Sequence, residues 1–140
     1  ATGMVDTNYE GKAQAAIDAL DEVDLVVVHV EGTDEAAHMG DLDMKLLGIE
    51  NFDSRIAAPI LAALEKRGDY RVLLMPDHPT PIPIRTHVSD PVPFIAVTSG
   101  TDFSGPAAFT EKTAASTGRI NPNGFELMKF FTSDSIFETK

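Results

Sequence analysis

The chain has 140 residues, with 22 acidic against 11 basic side chains and a formal net charge of -11. Its length suits one domain, and its 43% hydrophobic content supports a packed core over disorder. No apolar run approaches the ~20 residues of a membrane span, the cations are scattered rather than gathered against phosphates, and the absence of cysteine excludes disulfides and thiolate metal sites.

The opening ATGMVDTNYEGK has neither the basic stretch nor the apolar segment of a secretory leader. Together these features point to a cytoplasmic protein with neither nucleic acid nor membrane as partner. Lys12–Leu20 (KAQAAIDAL) reads as a helix. Leu25–Val30 follows as a short, valine-rich run bounded by polar sequence, the pattern of a strand buried on both faces of a parallel sheet. Leu42, Leu46, Ile49, Phe52, Ile56, Ile60 and Leu64 then recur at helical spacing. Asp41 is placed to cap that helix, Gly68 to end it, and Pro59 to kink or split it. Arg71–Met75 reads as a second strand, so residues 24–75 suggest a right-handed parallel crossover. The stretch 76–93 carries six prolines in 18 residues and predicts an ordered, irregular connection. Phe94–Val97 reads as a third strand, Gly105–Gly118 as loop with at most one helical turn, and Phe125–Phe131 as a short helix. Residues 133–140 have no pattern and read as a tail. The expected fold class is α/β, a mostly parallel sheet with helices on its faces.

The chemistry-bearing residues gather after the strand-like runs, at the edge where open α/β sheets bind ligands. Asp34 and His38 stand four apart, which on a helical turn puts both on one face. An imidazole and a carboxylate so placed suit Zn²⁺ or Mn²⁺; equally, Asp34 can cap the turn with His38 solvated. Asp77 and His78 close a strand before a proline, where they can share an ion or simply stabilise a turn. His87 follows in the same Pro-rich stretch. Two carboxylate–histidine pairs and a third histidine form a set that can hold two cations, an arrangement used in phosphoryl chemistry. Arg85 is a candidate for binding a phosphate, or for surface pairing. His29, inside a strand-like run, fits packing or hydrogen bonding behind a site better than ligation.

The strings HVEGTDEAAHMGD (29–41) and PDHPTPIPIRTHVSDPVPF (76–94), with DTNYEGKAQAA (6–16) and ELMKFF (126–131), resemble the archaeal-type cofactor-independent phosphoglycerate mutases of the alkaline phosphatase superfamily. The resemblance covers nearly the whole chain. It implies a phosphotransferase with two divalent metal ions, Mn²⁺ first and Zn²⁺ or Co²⁺ as alternatives, and no organic cofactor. By position, Asp34, His38 and His87 match the ligands of the first metal, and Asp77 and His78 match two ligands of the second. The family's nucleophilic Ser and a further Asp ligand have no counterpart here. The resemblance therefore implies that residues 1–132 are the C-terminal part of the metal-binding domain, completed by an N-terminal part of the same protein, with no catalytic residue of their own. The implied reaction interconverts 3- and 2-phosphoglycerate through a phosphoserine, and oligomerisation is compatible with it. Two other readings remain: a related phosphotransferase resembling proposed homoserine kinases, and, for the 140 residues alone, a non-catalytic metal-binding polypeptide.

Overall fold

The computed structural model describes residues 4–101 and 105–133. They divide into two compact units, residues 1–68 with 78–90 and residues 69–77 with 91–140.

The first unit is helical. Asn8 accepts from the Gly11 amide and starts α1 (Tyr9–Ala19), which buries Tyr9, Ala13 and Ala16 on one face. Spacings of four and three make that stripe. Tyr9 fixes the preceding chain by donating its hydroxyl proton to the Val5 carbonyl at 3.0 Å. Next, α2 (Gly32–Met39) buries Ala36 and Ala37 and closes on Gly40 at φ 75°, the left-handed conformation that glycine tolerates best. Asp41 caps α3 (Leu42–Phe52) as its sequence suggests, accepting from the Met44 amide at 2.9 Å. Gly48 gives α3 its approach to α2, since a Cβ there would press on the Thr33 methyl at 3.0 Å.

The disturbance expected from Pro59 falls one turn earlier. Residues Asp53–Ala57 widen into a π turn, closed by the Ala58 amide bonding to the Asp53 carbonyl, before α4 (Ala58–Leu64) resumes. Proline has no N–H and crowds the carbonyl four residues back, so the ladder widens where the ring would clash. Ile56, on the inner side of this turn, is 1% exposed and is the largest aliphatic side chain of the core.

The second unit holds β1 (Arg71–Leu74) and β2 (Ile95–Thr98), then α5 (Glu111–Ser116), a 3₁₀ turn (Gly124–Glu126) and α6 (Leu127–Thr132). Arg71 donates to the carbonyls of Phe131 and Ser133, a cation set at the negative end of α6. A small apolar cleft of about 140 Å³ is lined by Leu73, Phe94, Ala96, Phe130 and neighbours, none of them titratable.

The sheet corrects one expectation. Among the described residues it consists of β1 and β2 alone, paired antiparallel with Arg71 opposite Thr98 and Leu74 opposite Ile95, not the mostly parallel sheet the apolar runs suggest. Residues 25–30 join no ladder, although half-buried and exposed positions alternate along them as on a strand, with Val27 77% exposed. A run of apolar residues encodes extended backbone; the direction and identity of its neighbours are not written in it. The helix α6 falls within two residues of the 125–131 pattern, whereas α5 makes a six-residue helix inside the 105–118 stretch that reads as loop with at most one turn. The expected tail lies outside the described residues except for Ser133.

Candidate metal centre

Two segments of the first unit build the site. Helix α2 supplies Asp34 in its first turn and His38 in its last, on one face as the four-residue spacing requires. The cap of α2 is Glu31, so Asp34 is free of the capping role open to it in sequence. The Pro-rich connection supplies His78, Thr80, Arg85 and His87.

Four of the five residues expected from sequence meet here. His38 Nε2 stands 3.2 Å from Asp34 Oδ2 and 3.1 Å from His87 Nε2, and His87 Nε2 stands 3.5 Å from Asp34 Oδ1. The His78 ring stacks on that of His87, centroids 3.7 Å apart. Single ligand atoms of Asp34, His78 and His87 also fall within 4.8 Å of one another. The tighter trio is Asp34, His38 and His87; His78 lies beside it. Asp77 belongs to the second unit and is exposed. His29 is exposed rather than packed, with Nε2 3.5 Å from Glu31.

Thr80 carries no signal in sequence but organises the cluster. It is buried, and its hydroxyl donates to Asp34 Oδ1 at 2.5 Å while lying 3.3 Å from His78 Nδ1. A hydroxyl has one proton. With that proton directed at Asp34, the His78 contact is satisfied by a proton on Nδ1, which in the neutral ring places the lone pair on Nε2. Lys45 of α3 anchors the segment, donating to the Thr80 carbonyl at 2.8 Å. Burial pushes the Asp34 carboxyl up, but the Thr80 hydroxyl and the electrostatic influence of the His38, His87 and His78 rings outweigh it, and the group sits below the ordinary carboxylate range.

His38 Nδ1 lies 2.9 Å from the Arg85 carbonyl oxygen. A carbonyl only accepts, so Nδ1 carries a proton, and the neutral form of His38 then has its lone pair on Nε2, the atom that faces Asp34 and His87. Acceptors converging at 3.1–3.5 Å repel unless a cation or a shared proton stands among them. Three ligands of a tetrahedral ion with ~2.0–2.1 Å bonds stand ~3.3 Å apart. The donor set and its spacing fit a divalent metal.

Histidine and carboxylate donors drawn together from a helix and a loop are the donor set that metal sites of the N/O-ligand class use. The chain belongs to the Metalloenzyme superfamily, whose family model matches residues 1–131. It is 49% identical over 130 residues to a probable 2,3-bisphosphoglycerate-independent phosphoglycerate mutase of Geobacter sulfurreducens, a match covering 92% of this chain and 33% of that protein. It is 50% identical to the 2,3-bisphosphoglycerate-independent phosphoglycerate mutase of Methanothrix thermoacetophila, with the same coverage. The solved structure of the PH0037 protein from Pyrococcus horikoshii superposes with a TM-score of 0.74 at 32% identity, over 83% of this chain and 34% of that one. The chain thus spans about a third of the length of the curated relatives it matches.

Proposed function

We propose that this chain is the C-terminal part of a metal-dependent phosphoglycerate mutase, with residues 1–132 in its metal-binding phosphotransferase domain. One observation carries the reading: Asp34, His38 and His87 converge at 3.1–3.5 Å in a chain about half identical to proteins named as phosphoglycerate mutases. Asp34, His38 and His87 would hold one divalent ion, Mn²⁺ in first place and Zn²⁺ or Co²⁺ as alternatives. Asp77 and His78 are assigned by their motif to a second. Paired ions stand ~3.5–4 Å apart in phosphoryl-transfer enzymes, and His78 lies beside the trio, with a ligand atom within 4.8 Å of those of Asp34 and His87. Such ions, when bound, lower the pKa of a hydroxyl nucleophile and offset charge on the transferring phosphoryl oxygens.

The residues of this chain prepare the acceptors. Asp34 remains ionised, Thr80 fixes its Oδ1, and the Arg85 carbonyl holds the Nδ1 proton of His38 away from the cluster. The proposed reaction moves a phosphoryl group between the 2- and 3-hydroxyls of phosphoglycerate through a phosphoserine. Its serine is expected in the part of the relatives' length that this chain does not span. On the same ground, the 140 residues alone are proposed to bind metal without turning over substrate.

The test is conversion of 3- to 2-phosphoglycerate by the gene's complete product, with Mn²⁺ and with chelator. Turnover that appears with metal and disappears on chelation is expected. Turnover indifferent to metal, or none under either condition, would sink the reading.

A further inference from the structure

Arg85 adopts a backbone conformation that an arginine rarely takes. Pro81–Ile84 form a single helical turn, with the amides of Ile84 and Arg85 both bonding to the Pro81 carbonyl at 3.1 and 2.9 Å. Arg85 ends the turn at φ 56°, the one positive φ outside glycine among the described residues. That position commonly takes glycine or asparagine, and another residue there is strained. Such strain persists only where the surroundings over-determine it.

Two contacts do so, and both reach α2. The Arg85 carbonyl accepts the His38 Nδ1 proton at 2.9 Å. The Arg85 side chain lies flat against Gly40, where a Cβ would overlap its Nε, Cζ and Nη2. The guanidinium therefore rests over the C-terminal end of α2, where helix carbonyls favour a cation. A side chain packed on Gly40 is a poor match for the phosphate-binding role that its sequence position suggests.

We propose that Arg85 is a positioning residue that acts through its main chain. Held in the left-handed conformation, its carbonyl fixes the Nδ1–H tautomer of His38 and aims the Nε2 lone pair at the point shared with Asp34 and His87. The inference rests on the metal reading of that cluster and adds to it the device that sets one ligand's proton. Partners behind metal ligands affect metal affinity by about 10–100-fold.

The backbone role orders the variants in a way that a guanidinium role cannot. Glycine and asparagine accept positive φ, alanine accepts it less readily, and valine least. Long-range ¹H–¹⁵N NMR of the metal-free 140-residue chain reads the His38 tautomer, and calorimetry with Mn²⁺ or Zn²⁺ reads affinity. Arg85→Gly and Arg85→Asn should keep the Nδ1–H tautomer and bind metal within about threefold of wild type. Arg85→Val should lose the tautomer and bind about 10–100-fold more weakly. Should Arg85→Val not fold, Arg85→Ala replaces it and should still bind more weakly than Arg85→Asn, although both lack the guanidinium. Equal loss in Arg85→Gly and Arg85→Val, or a wild-type tautomer and affinity in Arg85→Val, overturns the proposal. Failure of the metal reading looks different: wild type would bind neither ion, while the tautomer series would still establish the carbonyl's hold on His38.

Discussion

Thr80 sits where one hydroxyl can serve two proposed ligands, buried and shared between Asp34 and His78. Valine has nearly its shape and none of its hydrogen bonding. Thr80→Val should leave Asp34 Oδ1 without its donor and His78 Nδ1 without its acceptor, weakening Mn²⁺ binding about 10–100-fold. Thr80→Ser restores the hydroxyl and should recover most of that loss. Calorimetric titration of the three chains decides it, and equal affinities would show that the hydroxyl organises nothing. At this scale the sequence is informative about side chains whose chemistry is distinctive. The four-residue spacing of Asp34 and His38, and histidines on either side of a proline run, were enough to single out four residues that the structure brings together. Thr80 was not legible, because a threonine among prolines looks like any turn residue until its burial is known. Arg85 drew notice for its guanidinium, while its structural contact with the cluster runs through a carbonyl that every residue type possesses.

Helix α1 is fastened to the π turn by one polar contact and one core residue. Arg55 makes a two-pronged pair with Glu10, Nε to Oε1 at 2.5 Å and Nη2 to Oε2 at 2.8 Å, beneath which its guanidinium covers the Tyr9 ring at 4.9 Å. The Arg55 hydrogen bonds hold the Glu10 carboxyl below its ordinary range. A depressed folded-state pKa means that the pair's contribution is fully present above the unfolded value of about 4.3 and is lost as pH falls through the lower folded value. Urea unfolding of wild type and Glu10→Gln between about pH 7 and pH 2 should show a gap at neutral pH that closes below about pH 4. Because both partners are exposed, molar salt should shrink the neutral-pH gap. A gap of constant size across that range would assign the effect to packing instead. The element scale also shows what sequence patterns carry. The Asp41 cap and α6 are readable from local chemistry, since each depends on residues within a few positions, whereas α5 lies in a stretch that reads as loop. The π turn was half readable: Pro59 announces a break, but its place one turn earlier depends on which carbonyl the ring crowds.

For the molecule as a whole, patterns of apolar residues were least informative about strand partners. Residues 25–30 carry the alternating exposure of a strand without a ladder, and β1 and β2 pair antiparallel, because pairing is a property of neighbours distant in sequence. Charge is the other property of the whole chain, and it bears on any metal experiment. With a net charge of -11, divalent cations of any kind should stabilise the fold somewhat by screening repulsion among carboxylates. A specific site adds a linkage term that screening cannot supply: an ion bound only by the folded chain stabilises it by about 2.7 kcal/mol at a concentration 100 times its Kd. Thermal unfolding should therefore shift upward with Mn²⁺ or Zn²⁺ well beyond the shift given by Mg²⁺ at equal concentration, and chelator should reverse it. Asp34→Asn removes a proposed ligand's charge yet changes the net charge by a single unit, so it should abolish the excess shift while leaving the Mg²⁺ shift nearly intact. Equal shifts for all three ions, or an excess that survives in Asp34→Asn, would assign the effect to diffuse charge and remove the cluster from consideration as a metal centre.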